Sequence, residues 1–582
     1  MLVITFGFPN CNNAKQSIPT EPVWAVQLIA NEKSFPVVEK IEQIFIKRLR
    51  ERGNIEVSKS KNLPLKIVFK IEEGVGKEGF SITDGKNGEV TITGNDERGL
   101  LYGVGKLLRI SEYTSGGFKV GRWRGTSVPQ KKIRGIYWAT HFYNYYQNAP
   151  IEELEHYVED LGLWGYNNIK VWYDMHHFTS FSDTVAVGFR ERIAAIMKAA
   201  RAIEMGVSFT MIANEAYAND PECWRAVPGA GRGAVYPEDI CPNKPRALAH
   251  ALKLRGEFFD WCRQFNPEYI TVWPYDPGGC ASAGCQPWGS NGFLKAARAV
   301  ADLAGEKIPD TRIILSTWMF DSTEWSGLQQ QLPDVNKWMD MLMVEKIPGA
   351  EKKHKGFFTN LPDTVTAIGF PEISMYNSFP WGGFGANPFP HKLLQQWKEV
   401  KNLSAGGFPY SEGIFDDINK ITYAQMYWDK NVDIDQVLKE YIRYELGVAA
   451  TDSVLKVIHT LEQNHHLRWW PGKLEGIKLT LDWFPSKNVK PQEDPGAEDA
   501  FQIAERTDAN MLPWAKENWR WRILYIRAML DAELKVNGGT PTSKCYQGFC
   551  ELLKLYHCDG KTDPVVKPPL SASDYKSMPA CE

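Results

Sequence analysis

Residues 269–280 read Tyr269-Ile-Thr-Val-Trp-Pro-Tyr-Asp276-Pro-Gly-Gly-Cys280, an apolar run that stops at a proline and glycine turn. A β-strand that is buried on both faces has this continuous apolar pattern. Because the turn ends the strand, Asp276 comes at its carboxyl end, where (β/α)8 barrels carry their active sites. Asp-Pro-Gly is also an ordinary turn sequence, so the pattern has to recur before it indicates a barrel.

The pattern does recur, and it alternates with helical patterns from residue 131 onward. This alternation predicts a parallel (β/α)8 TIM barrel in residues 129–420. The predicted strands are Gly135 to Ala139, Asn168 to Trp172, Val207 to Ile212, Tyr269 to Pro274, Arg312 to Thr317, Met341 to Val344, Val365 to Phe370 and Gly407 to Tyr410. Residues 21–128 alternate strand and helix patterns, which predicts a small α/β domain, and residues 421–582 predict a helical C-terminal domain.

Charge and composition narrow the classes of partner. The chain has 67 basic and 70 acidic side chains, so it lacks the electrostatic signature of a protein that binds nucleic acid or an acidic membrane. No apolar run reaches the roughly 18 to 20 residues that cross a bilayer, which excludes an integral membrane span. The 21 Trp, 23 Tyr and 28 Phe residues suit a carbohydrate ligand, because aromatic rings stack on sugar C–H faces.

The N-terminal segment, residues 1–20, has an apolar stretch that runs into Cys11 and then into a polar tether. This order is typical of the end of a bacterial lipoprotein signal, although a basic n-region is missing and Pro9 and Asn10 precede the cysteine. We interpret the segment as an export signal in preference to a cytosolic N-terminus. The protein is then expected to be bacterial and exported, either periplasmic or lipid-anchored at the cell surface.

Four cysteines follow two neighbouring barrel strands. Cys223 and Cys241 come after the third strand, and Cys280 and Cys285 come after the fourth. Two disulfides, one cross-link, a four-cysteine zinc site and four free thiols all fit this placement. A zinc ion held by four thiolates has no open coordination position, so such a site would brace the rim of the barrel. We therefore predict no catalytic metal and no cofactor.

Nearly every predicted strand is followed by a carboxylate, an imidazole, an amide or an aromatic ring, and together these side chains predict a substrate-binding pocket. They are Trp138, His141, Trp172, Asp174, His176, Asn214, Glu215, Tyr275, Trp318, Asp321, Glu345, Trp381 and Tyr410. We expect His176 to bind sugar hydroxyls in preference to a metal ion, because it and the adjacent His177 diverge and no third ligand is suitably spaced.

Hydrolysis of a glycosidic bond needs two carboxyl groups that project into one pocket. Asp276 and Glu372 rank first, since they follow the fourth and seventh strands, an arrangement known from retaining glycosidases. Glu412 is the alternative partner of Asp276. Asp416 and Asp417 precede a helical pattern and fit helix caps equally well.

The segment Gly94-Asn-Asp-Glu-Arg-Gly-Leu-Leu-Tyr-Gly-Val-Gly-Lys-Leu-Leu-Arg109, a turn that caps a helix, resembles part of the small α/β domain that precedes the barrel in β-hexosaminidases, O-GlcNAc hydrolases and α-glucuronidases. The likeness extends over about 20 positions. The loops Ile240-Cys-Pro-Asn-Lys-Pro245 and Asp276 to Cys285 look similar to those of an endo-β-N-acetylglucosaminidase-like family of gut bacteria.

The resemblance implies a glycoside hydrolase that acts on a hexosaminide or a glucuronide. The chain departs from it after the fourth strand, where Tyr275-Asp276-Pro277 replaces the adjacent acidic pair of substrate-assisted hexosaminidases. Participation of a substrate N-acetyl group is therefore not implied.

Two other functions compete with hydrolysis. The first is a non-catalytic glycan-binding lipoprotein that keeps the barrel and its aromatic side chains. The second is a polysaccharide lyase, which needs a cation near a uronate, and the strand ends are poor in Lys and Arg.

Overall fold

The computed structural model describes residues 18–30, 36–140, 144–228, 239–274, 279–344, 361–374, 386–464, 496–538 and 542–557. These residues belong to two compact units that divide between Val128 and Pro129. None of the helices in these ranges is long and apolar enough to span a bilayer.

The described part of the first unit contains a six-stranded sheet, a separate strand pair and two helices. Its strands are β1 Ala25–Ala30, β2 Glu56–Ser58, β3 Lys66–Ile71, β4 Phe80–Asp84, β5 Glu89–Gly94, β6 Glu112–Thr114, β7 Gly117–Lys119 and β8 Gly125–Ser127, and its helices are α1 Pro36–Glu51 and α2 Glu97–Ile110. The sheet has the order β2-β1-β3-β5-β4-β8, and β4 is antiparallel to both of its neighbours. Strands β6 and β7 form the separate pair.

The turn from β5 into α2 requires glycine. A Cβ atom on Gly94 would lie 2.2 Å from the backbone nitrogen of Leu100, and one on Gly99 would lie 2.1 Å from the carbonyl oxygen of Gly79. Asp96 caps α2, because its side chain accepts a hydrogen bond from the Gly99 N–H at 2.8 Å. The close backbone approach explains Gly94 and Gly99 of the segment that resembles the hexosaminidase domain.

The second unit contains the predicted TIM barrel. Its strands are β9 Ile133–Trp138, β10 Asn168–Trp172, β11 Gly206–Ile212, β12 Tyr269–Trp273, β13 Arg312–Ser316, β14 Met341–Val344, β15 Ala367–Gly369, β16 Gly406–Gly407 and β17 Tyr410–Ser411. All pairings are parallel, and β9 closes the barrel by pairing with β10 on one side and with β16 and β17 on the other. The predicted α/β fold class is confirmed.

The predicted eighth strand is split into β16 and β17. Pro409 lies between them and has no backbone N–H, although its carbonyl accepts a hydrogen bond from the Tyr137 N–H at 3.0 Å. Gly406 has φ +120, and a Cβ atom there would lie 1.7 Å from the carbonyl oxygen of Ile133. The closing strand is therefore short and lies very near its neighbour.

Helices surround the barrel and continue beyond it in the same compact unit. Among the described residues, the first eight of these helices are α3 Tyr145–Asn148, α4 Ile151–Leu163, α5 Thr184–Ala202, α6 Ala247–Cys262, α7 Gly292–Lys307, α8 Ser322–Val335, α9 Pro390–Val400 and α10 Asp417–Trp428. The later ones are α11 Ile434–Leu446, α12 Thr451–Gln463, α13 Ala497–Asn510, α14 Pro513–Lys516, α15 Trp519–Val536 and α16 Ser543–Leu555.

One buried arginine connects a late helix to three earlier ones. The guanidinium of Arg520, in α15, lies 2.9 Å from Asp160 of α4, 3.0 Å from Asp417 of α10 and 3.6 Å from Glu445 of α11. The hydroxyls of Tyr157 and Tyr441 donate to the Asp417 carboxylate at 2.6 and 2.7 Å. These contacts show that Asp417 has a structural role, in which it holds the helices against one another.

The carboxyl half of the barrel interior is filled with aromatic rings. Tyr137, Trp172, Trp273, Phe370 and Tyr410 belong to one buried cluster. The ring centroid of Trp273 lies 5.9 Å from that of Tyr137 and 5.6 Å from that of Phe370. Barrels of this kind have packed interiors, so a ligand bound at the carboxyl ends of these strands would lie above a layer of aromatic rings.

Candidate active site

Glu412 is a buried carboxyl group at the carboxyl end of the closing strand. It is 2% exposed, and its Oε1 accepts a hydrogen bond from the Tyr410 hydroxyl at 2.7 Å. Its Oε2 accepts no hydrogen bond from the described residues. Burial raises the pKa of Glu412 well above the usual range, and the nearby charge of Glu372 raises it further, while the Tyr410 hydrogen bond opposes both. These surroundings favour the protonated form of the carboxyl.

Glu372, the predicted catalytic partner, lies beside this carboxyl. It forms an isolated parallel β-bridge with Tyr410, and its Oε1 accepts a hydrogen bond from the Ser374 N–H at 2.7 Å. Glu372 is partly exposed, whereas Glu412 is buried. The barrel therefore brings two of the three predicted catalytic carboxyl groups together in different environments, as acid and base pairs require.

A buried ion pair beneath Glu412 fixes its backbone. The Glu412 N–H lies 2.9 Å from the Ser374 hydroxyl oxygen and 3.3 Å from the Asp416 carboxylate. Asp416 also accepts hydrogen bonds from Ser374 and from the Lys420 ammonium, and Lys420 is fully buried. Asp416 occupies the N-cap position of α10 but makes no side-chain capping bond. Its carboxylate instead orients the segment that carries Glu412.

The ends of β10 and β11 meet in a second buried cluster. Glu215 Oε1 lies 2.7 Å from His176 Nδ1 and accepts from the His176 backbone N–H at 3.2 Å. Glu215 Oε2 accepts from the Trp172 indole N–H at 3.3 Å. Since a carboxylate faces Nδ1, we assign the ring proton to Nδ1, which leaves Nε2 of His176 as an acceptor. Glu215 thus orients two predicted substrate-binding side chains.

Asp174 is linked to this cluster by His177, whose ring lies against that of His176. It is fully buried, and its Oδ2 lies 2.6 Å from His177 Nδ1, although the angle does not suit a hydrogen bond. The two imidazole rings are 4.1 Å apart. Neither histidine belongs to a group of three metal-ligating side chains within the described ranges.

Trp318 is the aromatic side chain best placed to contact a sugar. It is partly exposed, and its ring packs edge-on against Trp273 at 5.9 Å and Phe370 at 5.4 Å. It therefore extends the aromatic layer of the barrel toward solvent. Its position after β13 matches the predicted one.

Three other predicted binding residues point elsewhere. Trp138 is fully buried and stacks on Tyr146 at 4.3 Å, because it alternates with the inward-facing Tyr137. The Asn214 side chain is buried and donates to the Ile240 carbonyl at 3.1 Å. Asp321 forms a capping box with Glu324 at the start of α8. These contacts place all three in structural roles, and substrate contact by them stays a prediction.

Five predicted site residues lie outside the described residues. They are His141, Tyr275, Asp276, Glu345 and Trp381.

The structure brings together three of the four cysteines that follow the third and fourth predicted strands. Cys241, Cys280 and Cys285 have sulfur atoms within 4.8 Å of one another, whereas Cys223 is exposed and outside this group. All four are free thiols, so neither the two disulfides nor the single cross-link considered from the sequence is present among them. A hydrogen bond from Cys285 lowers the pKa of Cys280 to about 4, against the opposing effect of burial.

Two features of the second unit escaped the sequence analysis. Ser374 and Lys420 support Glu412 from distant positions in the chain, which no local pattern reveals. Lys170 is buried inside the barrel, with its ammonium 3.4 Å from the ring centroid of Phe408. The sequence does contain a signal for this feature. Lys170 stands in the middle of the apolar run Asn168 to Trp172, which predicts a buried lysine.

No protein-family model and no curated protein matches the chain. Solved structures do match it over most of its length. A GH138 enzyme targeting pectin rhamnogalacturonan II is 10% identical with a TM-score of 0.56, and the match covers 95% of this chain and 96% of that one. A family GH115 4-O-methyl-α-glucuronidase with specificity for decorated arabinogalactans is 12% identical with a TM-score of 0.56, over 94% of this chain and 78% of that one.

A GH89 enzyme from Clostridium perfringens, solved with its substrate GlcNAc-α-1,4-galactose, is 13% identical with a TM-score of 0.58. That match covers 89% of this chain and 64% of the other. All three neighbours are glycoside hydrolases, and at such low identity the likeness shows the fold alone. The resemblance to an endo-β-N-acetylglucosaminidase-like family is not confirmed.

Proposed function

We propose that the protein is a glycoside hydrolase that cleaves O-glycosidic bonds of a glycan by carboxyl acid and base catalysis. The observation that carries the proposal is the pairing of a buried Glu412, whose pKa is raised, with a partly exposed Glu372 at the carboxyl end of a TIM barrel. The glycoside hydrolases among the structural neighbours support the same reaction class.

In this mechanism Glu412 is the general acid. Its protonated carboxyl donates a proton to the glycosidic oxygen as the bond to the anomeric carbon breaks. Glu372 is the ionised partner, which either attacks the anomeric carbon or activates a water molecule. Asp276, the first-ranked acid of the sequence analysis, lies outside the described residues and remains the third carboxyl candidate.

The remaining polar and aromatic side chains would bind the sugar. Trp318 offers a partly exposed ring for stacking, and His176 offers Nε2 to a hydroxyl group while Glu215 holds Nδ1. We propose a hexosaminide or a glucuronide as substrate, in line with the small-domain resemblance. The GH115 neighbour is described as a glucuronidase, and the GH89 neighbour was solved with a GlcNAc glycoside as its substrate. We also propose that the protein is exported to the bacterial cell surface.

The test is a reducing-sugar and mass-spectrometric screen of hexosaminides, glucuronides and neutral hexosides. Wild type is compared with Glu412→Gln, Glu372→Gln and Asp276→Asn. Asp302→Asn is the control, because it also removes a carboxylate of the second unit but one that is exposed on α7, where it pairs with Arg298. Release by wild type and by the control, but not by Glu412→Gln, supports the proposal.

A different outcome would favour the second candidate function, a non-catalytic glycan-binding protein. Wild type would then release nothing from any glycan but would bind one of them, and Trp318→Ala would weaken that binding. Turnover that survives in both Glu412→Gln and Glu372→Gln but not in Asp276→Asn would move the catalytic assignment to Asp276.

A further inference from the structure

We propose that Cys241, Cys280 and Cys285 bind one thiophilic divalent metal ion, such as Zn²⁺, as three thiolate ligands. The three buried sulfur atoms lie within 4.8 Å of one another, and those of Cys241 and Cys285 are 3.7 Å apart. A tetrahedral ion with metal–sulfur bonds of about 2.3 Å separates its sulfur ligands by about 3.8 Å. The observed separation therefore matches one edge of such a site.

The same geometry is unlike that of a disulfide. Bonded sulfur atoms are about 2.05 Å apart, well below the 3.7 Å between Cys241 and Cys285. Three cysteines cannot all pair with one another, so a disulfide would leave one thiol over. A single metal ion accommodates all three.

Hydrogen-bond donors surround the sulfur atoms, as they do in thiolate metal sites. The Val227 backbone N–H donates to Cys280 Sγ at 3.3 Å, and the Asn243 amide donates to Cys285 Sγ at 3.1 Å. The Asn243 amide is itself oriented, because the Lys295 ammonium donates to its Oδ1 at 2.6 Å. Ser282 Oγ lies 3.3 Å from Cys280 Sγ. The Val227 and Asn243 donors stabilise negative charge on sulfur, which is the form that binds metal.

The metal would join two loops beside the candidate active site. Cys241 lies in the loop between β11 and α6, and Cys280 and Cys285 lie in the loop between β12 and α7. The loops already touch, since the Ala281 N–H donates to the Val227 carbonyl at 2.8 Å and the Asn243 amide to the Gly284 carbonyl at 2.6 Å. The metal thus braces the loop that follows β12. With three thiolates, the fourth coordination position goes to solvent, in contrast to the closed four-cysteine site considered from the sequence.

The test is metal analysis of the full chain, produced with added Zn²⁺ and purified under reducing conditions. We expect about one zinc ion per chain in wild type and at least a tenfold loss in Cys241→Ser and Cys285→Ser. Cys223→Ser and Cys262→Ser are the controls, because Cys223 is an exposed thiol of the same loop and Cys262 a buried thiol of α6. Both controls should keep the metal.

A second measurement uses folded wild type alone, so it does not depend on the variants folding. Metal-free, reduced protein is titrated with Co²⁺ and then with Cd²⁺, and a thiolate-to-metal charge-transfer band that saturates at one equivalent supports the site. Wild type without zinc and without either band would overturn the proposal, as would a Cys280–Cys285 disulfide in peptide mapping of protein purified without reductant. Zinc that is lost in His391→Gln but retained in the cysteine variants would also overturn it, because the metal would then occupy the His391, Asp435 and His459 group. None of these readouts depends on glycan turnover.

Discussion

The phenolic oxygen of Tyr410 lies 2.7 Å from Oε1 of Glu412, and both side chains are buried at the carboxyl end of the barrel. The hydroxyl stabilises the ionised carboxylate and so lowers the pKa of Glu412, while burial and the charge of Glu372 raise it by more. The net effect is that Glu412 keeps its proton at a higher pH than an ordinary glutamate does. General acids of glycosidases are adjusted in the same way.

Tyr410→Phe should raise the pKa of Glu412 further, because it removes the contribution that lowers this pKa and leaves burial and Glu372 in place. A general acid loses activity as pH rises through its pKa. The basic limb of the kcat/KM profile should therefore move to higher pH in the variant. Tyr423→Phe, which removes another buried hydroxyl of the same unit, is the control and should leave the limb unchanged. A limb that stays in place or moves to lower pH in Tyr410→Phe would contradict the assignment of Glu412 as acid.

Glu412→Gln should reduce kcat/KM by about 10² to 10⁴ for substrates with poor leaving groups, since protonation of the glycosidic oxygen is lost. Aryl glycosides with acidic phenol leaving groups need little protonation and should lose much less. The measurement is kcat/KM across a series of aryl glycosides that differ in leaving-group pKa. An equal loss for every member of the series would show that Glu412 acts in some other way.

The barrel could be predicted from sequence because its strands are buried on both faces. Asn168 to Trp172 and Met341 to Val344 were predicted with the bounds that β10 and β14 have. The eighth strand is predicted at Gly407 to Tyr410 but is interrupted, because Pro409 cannot donate a ladder hydrogen bond. A continuous apolar run marks a strand well, but its breaks depend on single residues.

The direction in which strand residues point could not be predicted from the same pattern. A run without polar alternation does not reveal which residues face the barrel interior, so the sequence predicts Trp138 in the pocket although Tyr137 is the inward residue. The hydrogen bond between Ser374 and Asp416 joins residues 42 positions apart. No local sequence pattern therefore predicts that Ser374 and Asp416 together hold the backbone of Glu412. The capping role of Asp321 can be predicted from the sequence, since Asp-x-x-Glu is a recognisable capping-box pattern.

Trp318→Ala should raise KM about fivefold and change kcat less, because a stacking ring contributes on the order of 1 kcal/mol to sugar binding. Trp318→Phe keeps an aromatic surface and should recover part of the loss. The matched control is Trp338→Ala, a partly buried tryptophan that packs against Arg298. KM and kcat are measured on the best substrate of the screen. An unchanged KM in Trp318→Ala would remove this ring from the substrate site.

Arg520→Met should destabilise the second unit by roughly 3–5 kcal/mol, because it leaves three buried carboxylates without their shared cation. Asp160, Asp417 and Glu445 are each at most 2% exposed. The measurement is the free energy of unfolding from urea denaturation. Arg298→Met is the control, since Arg298 pairs with Asp302 at the surface and should cost less than about 1 kcal/mol. Equal effects of the two variants would show that the buried network adds no net stability.

Lys170→Met should stabilise the protein. Lys170 is fully buried, no described residue accepts a hydrogen bond from its ammonium, and burial lowers its pKa well below the usual range. Between the lowered pKa of the folded state and the ordinary pKa of the unfolded chain, the unfolded chain binds the extra proton, so this lysine costs stability at neutral pH. Replacement by an apolar side chain of similar length should raise the free energy of unfolding by about 1–4 kcal/mol at pH 7.

The gain from Lys170→Met should shrink as pH rises toward the unfolded-state pKa, because wild type itself becomes more stable over that range. Lys198→Met, at an exposed position of α5, is the control and should show neither the gain nor the pH dependence. The measurement is urea unfolding of all three proteins at several pH values between 7 and about 10. A loss of stability at pH 7 in Lys170→Met would mean that the contact with Phe408, 3.4 Å from the ammonium to the ring centroid, outweighs the cost of burying the charge.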